Sequence, residues 1–372
     1  MILVLNAGSS SLKVVLFGLD GGPAFQGAVT EIGGRQAGAA PDHGAAVAVI
    51  LAAMQGAGHA LGQVIAIAHR VVHGGADLTA SQRLTPGVLR GIEECVGLAP
   101  LHNPPALSVI RAMQAALPGV AQTVHFDTAF HADNPALATT YALPQAERAQ
   151  GLRRYGFHGL SYASLVARLP GLTGAALPAR LLALHLGNGA SLCAIRAGRS
   201  VATTMGYSPL DGLTMGTRAG MVDGNAVLDM ARRHGVEGAA RILNRESGLL
   251  GLGGHSDMRA LHGAGTAEAA FAIEHFCYWA VRQAGSMMAA MRGLDAIVFT
   301  GGIGENDAQV RGRILQGLAW AGVSHDLAAN RANAMRLHKS GSGVAVWIVR
   351  AAEESHIARE AVALIGAGRV GL

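Results

Sequence analysis

Apolar and polar positions change in blocks along the chain, and the blocks predict strands and helices in alternation. Two apolar stretches, 2–5 and 12–17, flank a polar turn and predict a pair of strands at the start of the chain. Residues 64–71 predict a buried strand, 104–117 a helix that opens with prolines, and 122–130 a strand that runs into a loop. This order indicates an α/β fold with largely buried sheets.

The second half of the chain repeats the alternation. Residues 225–246 and 266–291 have helical spacing of apolar positions. Residues 294–306 predict a buried strand, a glycine turn and the start of a helix, and 343–365 predict a last strand and a last helix. No low-complexity linker separates the halves.

Two segments resemble each other. Residues 3–21 and 182–200 each contain an apolar strand, a polar turn with glycine, a second apolar strand and another turn with glycine. We interpret the chain as two copies of one α/β unit, each beginning with a strand pair, although a chance likeness of two hairpins is the alternative.

Composition limits the function classes. The chain has 372 residues, half of them hydrophobic and 14% charged, which is enough for two or three domains and argues against disorder. The net charge of +5 includes no run of like charges, so no nucleic-acid-binding arm is visible. Cys95, Cys193 and Cys277 lack metal-site spacing and favour a reducing cytoplasm. The uncharged stretch 44–68 is interrupted by glycines, and we interpret it as helix, turn and strand and not as a membrane span.

Three glycine-containing turns follow apolar strands, at Gly8, at 187–189 and at 301–304. Glycine lets backbone N–H groups converge on an oxyanion, so three such turns predict phosphate binding. Hydroxyls of Ser9 and Ser11 and the cation of Lys13 add donors beside the first turn, although a solvent-facing strand lysine is the ordinary alternative. The motifs of Walker and Rossmann phosphate sites are absent.

Nine short motifs in order resemble the acetate kinase family, which are ATP-dependent, acyl-phosphate-forming kinases. They are NAGSSSLK, HRVVHGG, HNPPAL, FDTAFH, YGFHG, HLGNGAS, MGTRAG, FTGGIGEN and the late EExxIA. The resemblance implies two duplicated domains of the sugar-kinase, Hsp70 and actin type (RNase H-like) with a cleft between them. The expected domains are 1–128 plus 354–372 on the acyl-substrate side and 129–353 on the nucleotide side.

The resemblance also implies roles for individual residues. The catalytic groups would be Asp127, His158 and Arg218. His158 and Arg218 would stabilise the transition state, with the substrate-binding residue His102 nearby. Arg70 would bind the substrate carboxylate, and the methyl group would meet Val72, Leu101, Phe157 and Pro209. Asn6 and Glu353 would place Mg²⁺, with Mn²⁺ as an alternative. The nucleotide and its phosphates would be bound by Ser9, Ser11, Lys13, His185, Leu186, Gly187, Asn188, Gly189, Asp257, Met258, Arg259, Gly302, Ile303, Gly304, Glu305 and Asn306.

The implied activity is reversible, in-line phosphoryl transfer from ATP to acetate, giving acetyl phosphate and ADP. A kinase for propionate or another short acyl acid is the nearest alternative, and a non-catalytic nucleotide-binding module is a different class. The resemblance further implies a homodimer that uses the small-molecule substrates acetate and ATP. Together with the composition, it predicts a cytoplasmic protein that binds neither nucleic acid nor membrane.

Four departures from the family pattern affect the details. Tyr162 stands where the family usually has histidine, and Met221 where aspartate is usual. The segment before 257–259 is one residue short, which bears on the nucleoside contacts. The interval 14–69 is about twenty residues shorter than expected from the family resemblance, which predicts a trimmed periphery of the first domain.

Overall fold

The computed structural model describes residues 1–34 and 39–366. The chain forms two compact units. Unit 1 contains Met1–Ala132, Gly159–Ser164 and the segment that begins at Ala352, and unit 2 contains Asp133–His158 and Leu165–Ala351.

Unit 1 is built on a six-stranded sheet in the order β3-β2-β1-β4-β6-β5. The strands are β1 (Ile2–Ala7), β2 (Leu12–Phe17), β3 (Pro23–Val29), β4 (Ala66–Val71), β5 (Gln82–Arg83) and β6 (Ala121–Phe126). Strands β1 to β3 form an antiparallel meander, β1, β4 and β6 run parallel, and β5 is antiparallel to β6. The central strands β1 and β4 are almost completely buried because helices cover both faces of the sheet.

The helices of unit 1 divide between the two faces. On one face, α1 (His43–Gly56) and α3 (Asn103–Ala116) pack with Leu3, Leu5 and Ile67, and α2 (Pro86–Glu94) packs beside α3. On the other face, α14 (Glu353–Ile365) packs on residues 2, 4, 66 and 68 through an apolar stripe that includes Ile357 and Ala361. Helix α6 (Gly159–Thr173) begins in unit 1, where Leu160 joins that layer, and continues in unit 2 from Leu165.

Unit 2 has a five-stranded sheet in the order β11-β10-β7-β8-β9. Its strands are β7 (Arg180–Leu186), β8 (Ala190–Arg196), β9 (Arg199–Thr203), β10 (Ala296–Thr300) and β11 (Ala345–Ile348). Strands β7 to β9 form an antiparallel meander, and β7, β10 and β11 run parallel. The remaining helices are α4 (Ala136–Thr139), α5 (Gln145–Ala149), α7 (Gly224–Arg241), α8 (Gly248–Gly253), α9 (Met258–Ala264), α10 (Ala267–Met291), α11 (Gly301–Asn306), α12 (Ala308–Gly317) and α13 (Leu327–Arg331).

The two sheets repeat one topology, which confirms the duplicated fold predicted from the sequence. The order 3-2-1-4-6 in unit 1 corresponds to 9-8-7-10-11 in unit 2, with the same strand directions. Within the hairpins, Asn6 pairs with Lys13 and His185 pairs with Ser191. Asn6 and His185 are therefore equivalent positions near the ends of equivalent strands.

Most predicted elements are present, with one difference in the second half. The predicted helix 225–246 is interrupted at Gly235, whose φ of 72° and ψ of 167° are not helical, and its last five residues form a π-helical turn. Glycine allows this break because it has no Cβ to clash at positive φ. The stretch 44–68 forms α1, a short 3₁₀ turn and β4, and no helix within the described residues is long and apolar enough to cross a membrane.

Candidate functional site

Polar side chains gather at one end of the unit 1 sheet, on the face that packs against α14. Residues 2, 4, 66 and 68 contact α14, so Asn6 and Arg70, which follow at even spacing, face the same side at the carboxyl ends of β1 and β4. Asp127 follows directly after β6, and Glu353 is the first residue of α14. Strand alternation and parallel pairing thus bring together residues that are far apart in sequence.

Arg70 is the centre of this cluster. Its Nε and Nη2 donate to the two oxygens of Asp127 at 2.9 and 2.5 Å, and its Nη1 donates to Asn6 Oδ1 at 3.0 Å. Glu353 Oε2 lies 4.0 Å from Arg70 Nε. Burial alone would lower the pKa of the Arg70 guanidinium, but Asp127 and Glu353 outweigh it and hold that pKa above its usual value. Three of the five guanidinium N–H groups are engaged, which leaves two for a further anion.

Glu353 is the member of the cluster whose ionised form is least favoured by its surroundings. Burial raises the pKa of the Glu353 carboxyl to about 7, an effect that Arg70 opposes and that Asp127 and Glu354 reinforce. Three carboxylates near one guanidinium leave excess negative charge when all of them are ionised. A further cation would relieve that excess.

The first hairpin turn lies at the end of β1 and is fixed by backbone contacts. Gly8 N–H donates to Ser11 O at 2.8 Å, and Ile32 N–H donates to Ser10 O at 3.0 Å. The ring of His43, at the start of α1, hydrogen-bonds Gly8 O through Nε2 at 2.8 Å. Ser9 and Lys13 are exposed, and Lys13 is the cross-strand neighbour of Asn6. The hydroxyl of Ser9 in the turn and the ammonium group of Lys13 on β2 are therefore accessible to a ligand.

In unit 2, a second cluster surrounds the equivalent hairpin turn. The rings of His158 and His185 stack with centroids 4.1 Å apart, and His158 Nδ1 lies 2.8 Å from Ser191 Oγ. A Cβ on Gly189 would lie 2.7 Å from Arg218 Nη2 and 3.2 Å from His158 Nε2. Because Gly189 has no side chain, the guanidinium of Arg218 and the ring of His158 can both approach the turn.

Arg218 has an unusual electrostatic environment. Its Nη1 donates to the carbonyl oxygen of Pro209 at 2.5 Å, and no carboxylate in the described ranges forms an ion pair with it. Burial lowers the pKa of this guanidinium to about 10. A half-buried cation without a counter-charge is costly unless an anion joins it, so the site favours an anionic ligand.

Next to this cluster is a cavity of about 840 Å³. It has the size of sites that hold drug-sized ligands and cofactors. Eight of the residues predicted to bind nucleotide line it: Gly187, Asn188, Asp257, Met258, Arg259, Gly302, Ile303 and Asn306. A Cβ at Gly302 would meet nothing within 4 Å, so the backbone there is open to a ligand.

Other members of the predicted nucleotide set lie around the cavity or at other positions. His185, Leu186, Gly189, Gly304 and Glu305 are in unit 2 but do not line the cavity, and Ser9, Ser11 and Lys13 belong to unit 1. Oε1 of Glu305 accepts hydrogen bonds from the N–H groups of Gly301 and Ala351 at 2.9 and 2.8 Å. This carboxylate oxygen is therefore engaged with backbone at the β10–α11 junction.

The residues predicted to surround the acyl group divide between the units. Val72 is buried directly after β4, Leu101 is exposed, and His102 is the N-terminal cap residue of α3, all in unit 1. Phe157 is buried and Pro209 is half-buried, both in unit 2. Their convergence on one acyl group stays a prediction.

Sequence reasoning did not identify several residues at these sites. Ser256, His262, Asp307, Ala308 and Gln309 also line the cavity. In unit 1, His43 hydrogen-bonds the first hairpin turn and Glu354 helps to raise the pKa of Glu353. Asp307 directly follows the glycine-rich GGIGEN segment, which could have indicated it. His262 carries no local signal, because only the fold brings α9 next to the start of α12.

Two of the departures from the family pattern have different surroundings. Tyr162 is fully buried, and its ring centroid lies 5.8 Å from that of His131. Met221 is 47% exposed. Tyr162 therefore lies in a packed aromatic group, whereas Met221 lies on the surface.

Comparison with known proteins identifies the family. The family model described as the Acetokinase family matches residues 1–359. An acetate kinase of Methylocella silvestris is 42% identical over 395 residues, covering 98% of both chains. An acetate kinase of Nitrobacter hamburgensis is 40% identical and covers 98% of this chain and 96% of its own.

Solved structures agree with this assignment. The acetate kinase of Porphyromonas gingivalis aligns with a TM-score of 0.91 at 34% identity, over 98% of this chain and 99% of its own. A propionate kinase of Francisella tularensis aligns with a TM-score of 0.92, with the same identity and coverage. By sequence over nearly its whole length and by its duplicated actin-like fold, the chain belongs to the acetokinase family.

Proposed function

We propose that the chain is an acetate kinase that transfers the γ-phosphoryl group of ATP to acetate. A carboxylate oxygen of acetate forms a bond to the γ-phosphorus while the bond from that phosphorus to the β–γ bridging oxygen breaks, which gives acetyl phosphate and ADP. The reverse reaction makes ATP. Kinases of this family use ATP, whereas the acyl substrate differs among the similar structures, which include acetate and propionate kinases.

The observation that carries the proposal is the uncompensated charge of Arg218 beside the Gly189 turn. Phosphoryl transfer is mainly positioning and charge stabilisation, because negative charge spreads over the transferring group. A desolvated guanidinium that no carboxylate of the described residues pairs with is available for that charge. His158, whose Nε2 faces the same glycine, is a second group that could stabilise the transferring phosphoryl.

In unit 1, Arg70 is proposed to hold the acetate carboxylate with its two remaining N–H groups. Asp127 accepts from Arg70 at both of its oxygens, so its role is to orient the guanidinium. It need not remove a proton, because acetate is already ionised at neutral pH. Val72, two residues after Arg70 in sequence, is proposed to limit the length of the acyl group.

The donor set around Glu353 fits a hard divalent cation such as Mg²⁺ or, alternatively, Mn²⁺. Glu353 and Asn6 offer oxygen ligands, which these ions prefer. Burial, reinforced by the charges of Asp127 and Glu354, raises the pKa of Glu353, and a bound cation would stabilise its ionised form. Within the described residues, no three His, Cys, Asp or Glu side chains converge as a metal site. Mg²⁺ commonly uses few protein ligands together with substrate phosphates. When bound, it would neutralise charge on the phosphates.

The cavity of unit 2 is proposed to hold the nucleoside, and the turns at 187–189 and 302–306 to bind its phosphates. Gly302 presents open backbone to that space. Arg259 and Asp257 form a surface ion pair at its edge, with Nη2 and Oδ2 2.6 Å apart. That pair would contact the nucleoside and not the reacting phosphate.

A coupled assay of ADP release tests the proposal. With ATP, Mg²⁺ and acetate, propionate or butyrate in turn, we expect acetate to exceed propionate by roughly tenfold to two-hundredfold in kcat/KM. The reason is that one methylene in a short apolar pocket is worth only about 1–3 kcal/mol. Absence of acyl-dependent turnover would leave a non-catalytic nucleotide-binding module as the alternative.

A kinase for propionate is the second candidate, because a propionate kinase is among the similar structures. The same assay decides between them, since a preference for propionate would reverse the assignment. Val72→Ala should narrow the ratio, mainly by improving propionate. An unchanged ratio with lower stability would show that Val72 is only a core residue.

We further propose a homodimer in a reducing compartment such as the cytoplasm. All three cysteines are buried and unpaired, and burial raises the pKa of each thiol. Thiols of this kind are the ones expected in a reducing environment.

A further inference from the structure

One hydrogen-bonded pair in the cavity of unit 2 has no part in the proposed chemistry. His262 lies in the last turn of α9, and Asp307 is the N-terminal cap of α12. Both line the cavity, and His262 Nε2 and Asp307 Oδ2 are 2.8 Å apart. Their side chains are 24% and 14% exposed, so the pair is largely shielded but still reachable.

A second set of contacts fixes the orientation of the Asp307 carboxylate. Its Oδ1 accepts from the backbone N–H groups of Gln309 and Val310 at 3.0 and 2.9 Å. The other carboxylate oxygen faces His262 and accepts a hydrogen bond from its ring. His262 must therefore carry a proton on Nε2, and in the neutral ring Nδ1 keeps its lone pair.

The lone pair on His262 Nδ1 can accept a hydrogen bond from a ligand. In the part of the chain that the structure describes, no group hydrogen-bonds His262 Nδ1. A nucleoside brings suitable donors, which are the ribose hydroxyls and, in adenine, the exocyclic amine. His262 lines the cavity, so an acceptor on its ring would select for a ligand that presents one of these donors, since an unmatched polar group loses its hydrogen bond to water.

We propose that His262 determines nucleotide specificity by accepting a hydrogen bond from the nucleoside at Nδ1, and that Asp307 is the positioning residue that sets its tautomer. This rests on the proposed function only in placing a nucleotide in the cavity. It goes beyond that function by assigning the recognition of the nucleoside to a pair of side chains.

Asp307→Asn tests the tautomer. The two backbone N–H groups of α12 require the amide oxygen, so the new NH₂ group faces His262 and donates to Nε2. The ring proton then moves to Nδ1, which changes from an acceptor into a donor. We expect the affinity for ATP, measured by calorimetry without acyl substrate, to fall about fivefold to tenfold, the value of one neutral hydrogen bond. His262→Phe should give a similar loss.

Three analogues identify the donor. If it is the exocyclic amine, ITP, which has an oxo group at that position, binds the wild type weakly and gains affinity in Asp307→Asn. If it is a ribose hydroxyl, 2′-deoxy-ATP or 3′-deoxy-ATP is the weak ligand, and His262→Phe no longer distinguishes it from ATP. Either result supports the proposal.

Asp326→Asn is the matched control. Asp326 caps α13 with the same two contacts, to the N–H groups of Ala328 and Ala329 at 2.8 and 3.0 Å, and lies outside the cavity. It should change thermal stability as much as Asp307→Asn but leave nucleotide affinity unchanged.

Folded variants at His262 and Asp307 that bind ATP and every analogue as the wild type does would overturn the proposal. If His262→Phe does not fold, Asp307→Asn decides alone. Normal nucleotide binding without acetate-dependent turnover would count against the proposed function and not against this pair. A wild type that binds no nucleotide would overturn both.

Discussion

At the scale of single residues, the two central arginines differ in their partners. Arg70 is held by Asp127 and Asn6 and has Glu353 nearby, whereas among residues 1–34 and 39–366 the hydrogen-bond partner of Arg218 is a carbonyl oxygen and no carboxylate pairs with it. Removing the charge of Arg70 and removing the charge of Arg218 should therefore affect stability differently. Arg70 stabilises the carboxylates of Asp127 and Glu353, whereas the charge of Arg218 has no carboxylate partner among the described residues.

Arg218→Ala should lower kcat by roughly 10³-fold, by analogy with arginines that stabilise transferring phosphoryl groups. Its thermal stability should equal or exceed that of the wild type, because the substitution removes a desolvated cation that has no ion-pair partner in the part of the chain that the structure describes. Steady-state kinetics and thermal unfolding measure the two effects. Arg233→Ala, in an exposed ion pair with Asp229, is the control and should match the wild type. Near-normal kcat in Arg218→Ala would remove this residue from the site.

Glu353 predicts a pH dependence. Its folded pKa of about 7 lies above the usual value of 4.5, so the folded state binds the extra proton and stability falls as pH rises from 4.5 through 7. In metal-free buffer, Glu353→Gln should therefore be more stable than the wild type at pH 8, and this gain should be smaller at pH 5. Denaturant unfolding at both values measures it.

Glu268→Gln is the control for that experiment, because it also removes a charge from the first turn of a helix but at an exposed position. An equal gain in both variants would mean that the effect of Glu353→Gln does not come from its buried carboxyl.

At the scale of elements, the sequence predicted both hairpins, the parallel strands β4, β6, β10 and β11 and the long helices α3, α10 and α14, because apolar spacing and glycine turns are local signals. It did not predict strands β3, β5 and β9 or several helices, among them α2 and α6. The helix predicted over 266–291 is observed as Ala267–Met291, because its apolar spacing is such a local signal. The break at Gly235 could not be predicted, since most glycines in helices leave them continuous. Asn6, Arg70 and Asp127 were identified only through motif resemblance, and the pairing of His262 with Asp307 depends on tertiary packing alone.

Gly189→Ala tests the turn between β7 and β8. The added methyl would displace Arg218 Nη2 and the His158 ring, which are flexible ends of side chains, so the fold should persist. We expect kcat to fall at least tenfold with a small change in thermal stability. Gly285→Ala in α10, where a Cβ meets nothing within 4 Å, should leave kcat unchanged and stabilise slightly. Full activity in Gly189→Ala would show that the close approach has no catalytic role.

At the scale of the whole molecule, one sheet topology has been used twice with different chemistry at its end. Equivalent strand positions carry Asn6 beside Arg70 in unit 1 and His185 stacked on His158 in unit 2. The strand order is thus common to both units, whereas the side chains after the strands differ. Function in this chain follows from those few positions and not from the fold itself.

The proposed homodimer predicts the mass in solution. Unit 2 exposes large apolar side chains, among them Phe271, Tyr278 and Trp320, at 55%, 63% and 75%. A surface covered by a second copy would offer such groups. Light scattering after gel filtration should give about twice the chain mass of 38.0 kDa at micromolar concentration. A single-chain mass at every concentration would contradict the dimer.

The raised pKa of Glu353 also has a thermochemical consequence. Near pH 7 this carboxyl is about half protonated, so any cation that binds its ionised form expels a fraction of a proton into the medium. The buffer takes up that proton and contributes its own ionisation heat. Heats of cation binding recorded in phosphate and in Tris will therefore differ in proportion to the number of protons released, and that difference counts the protons directly.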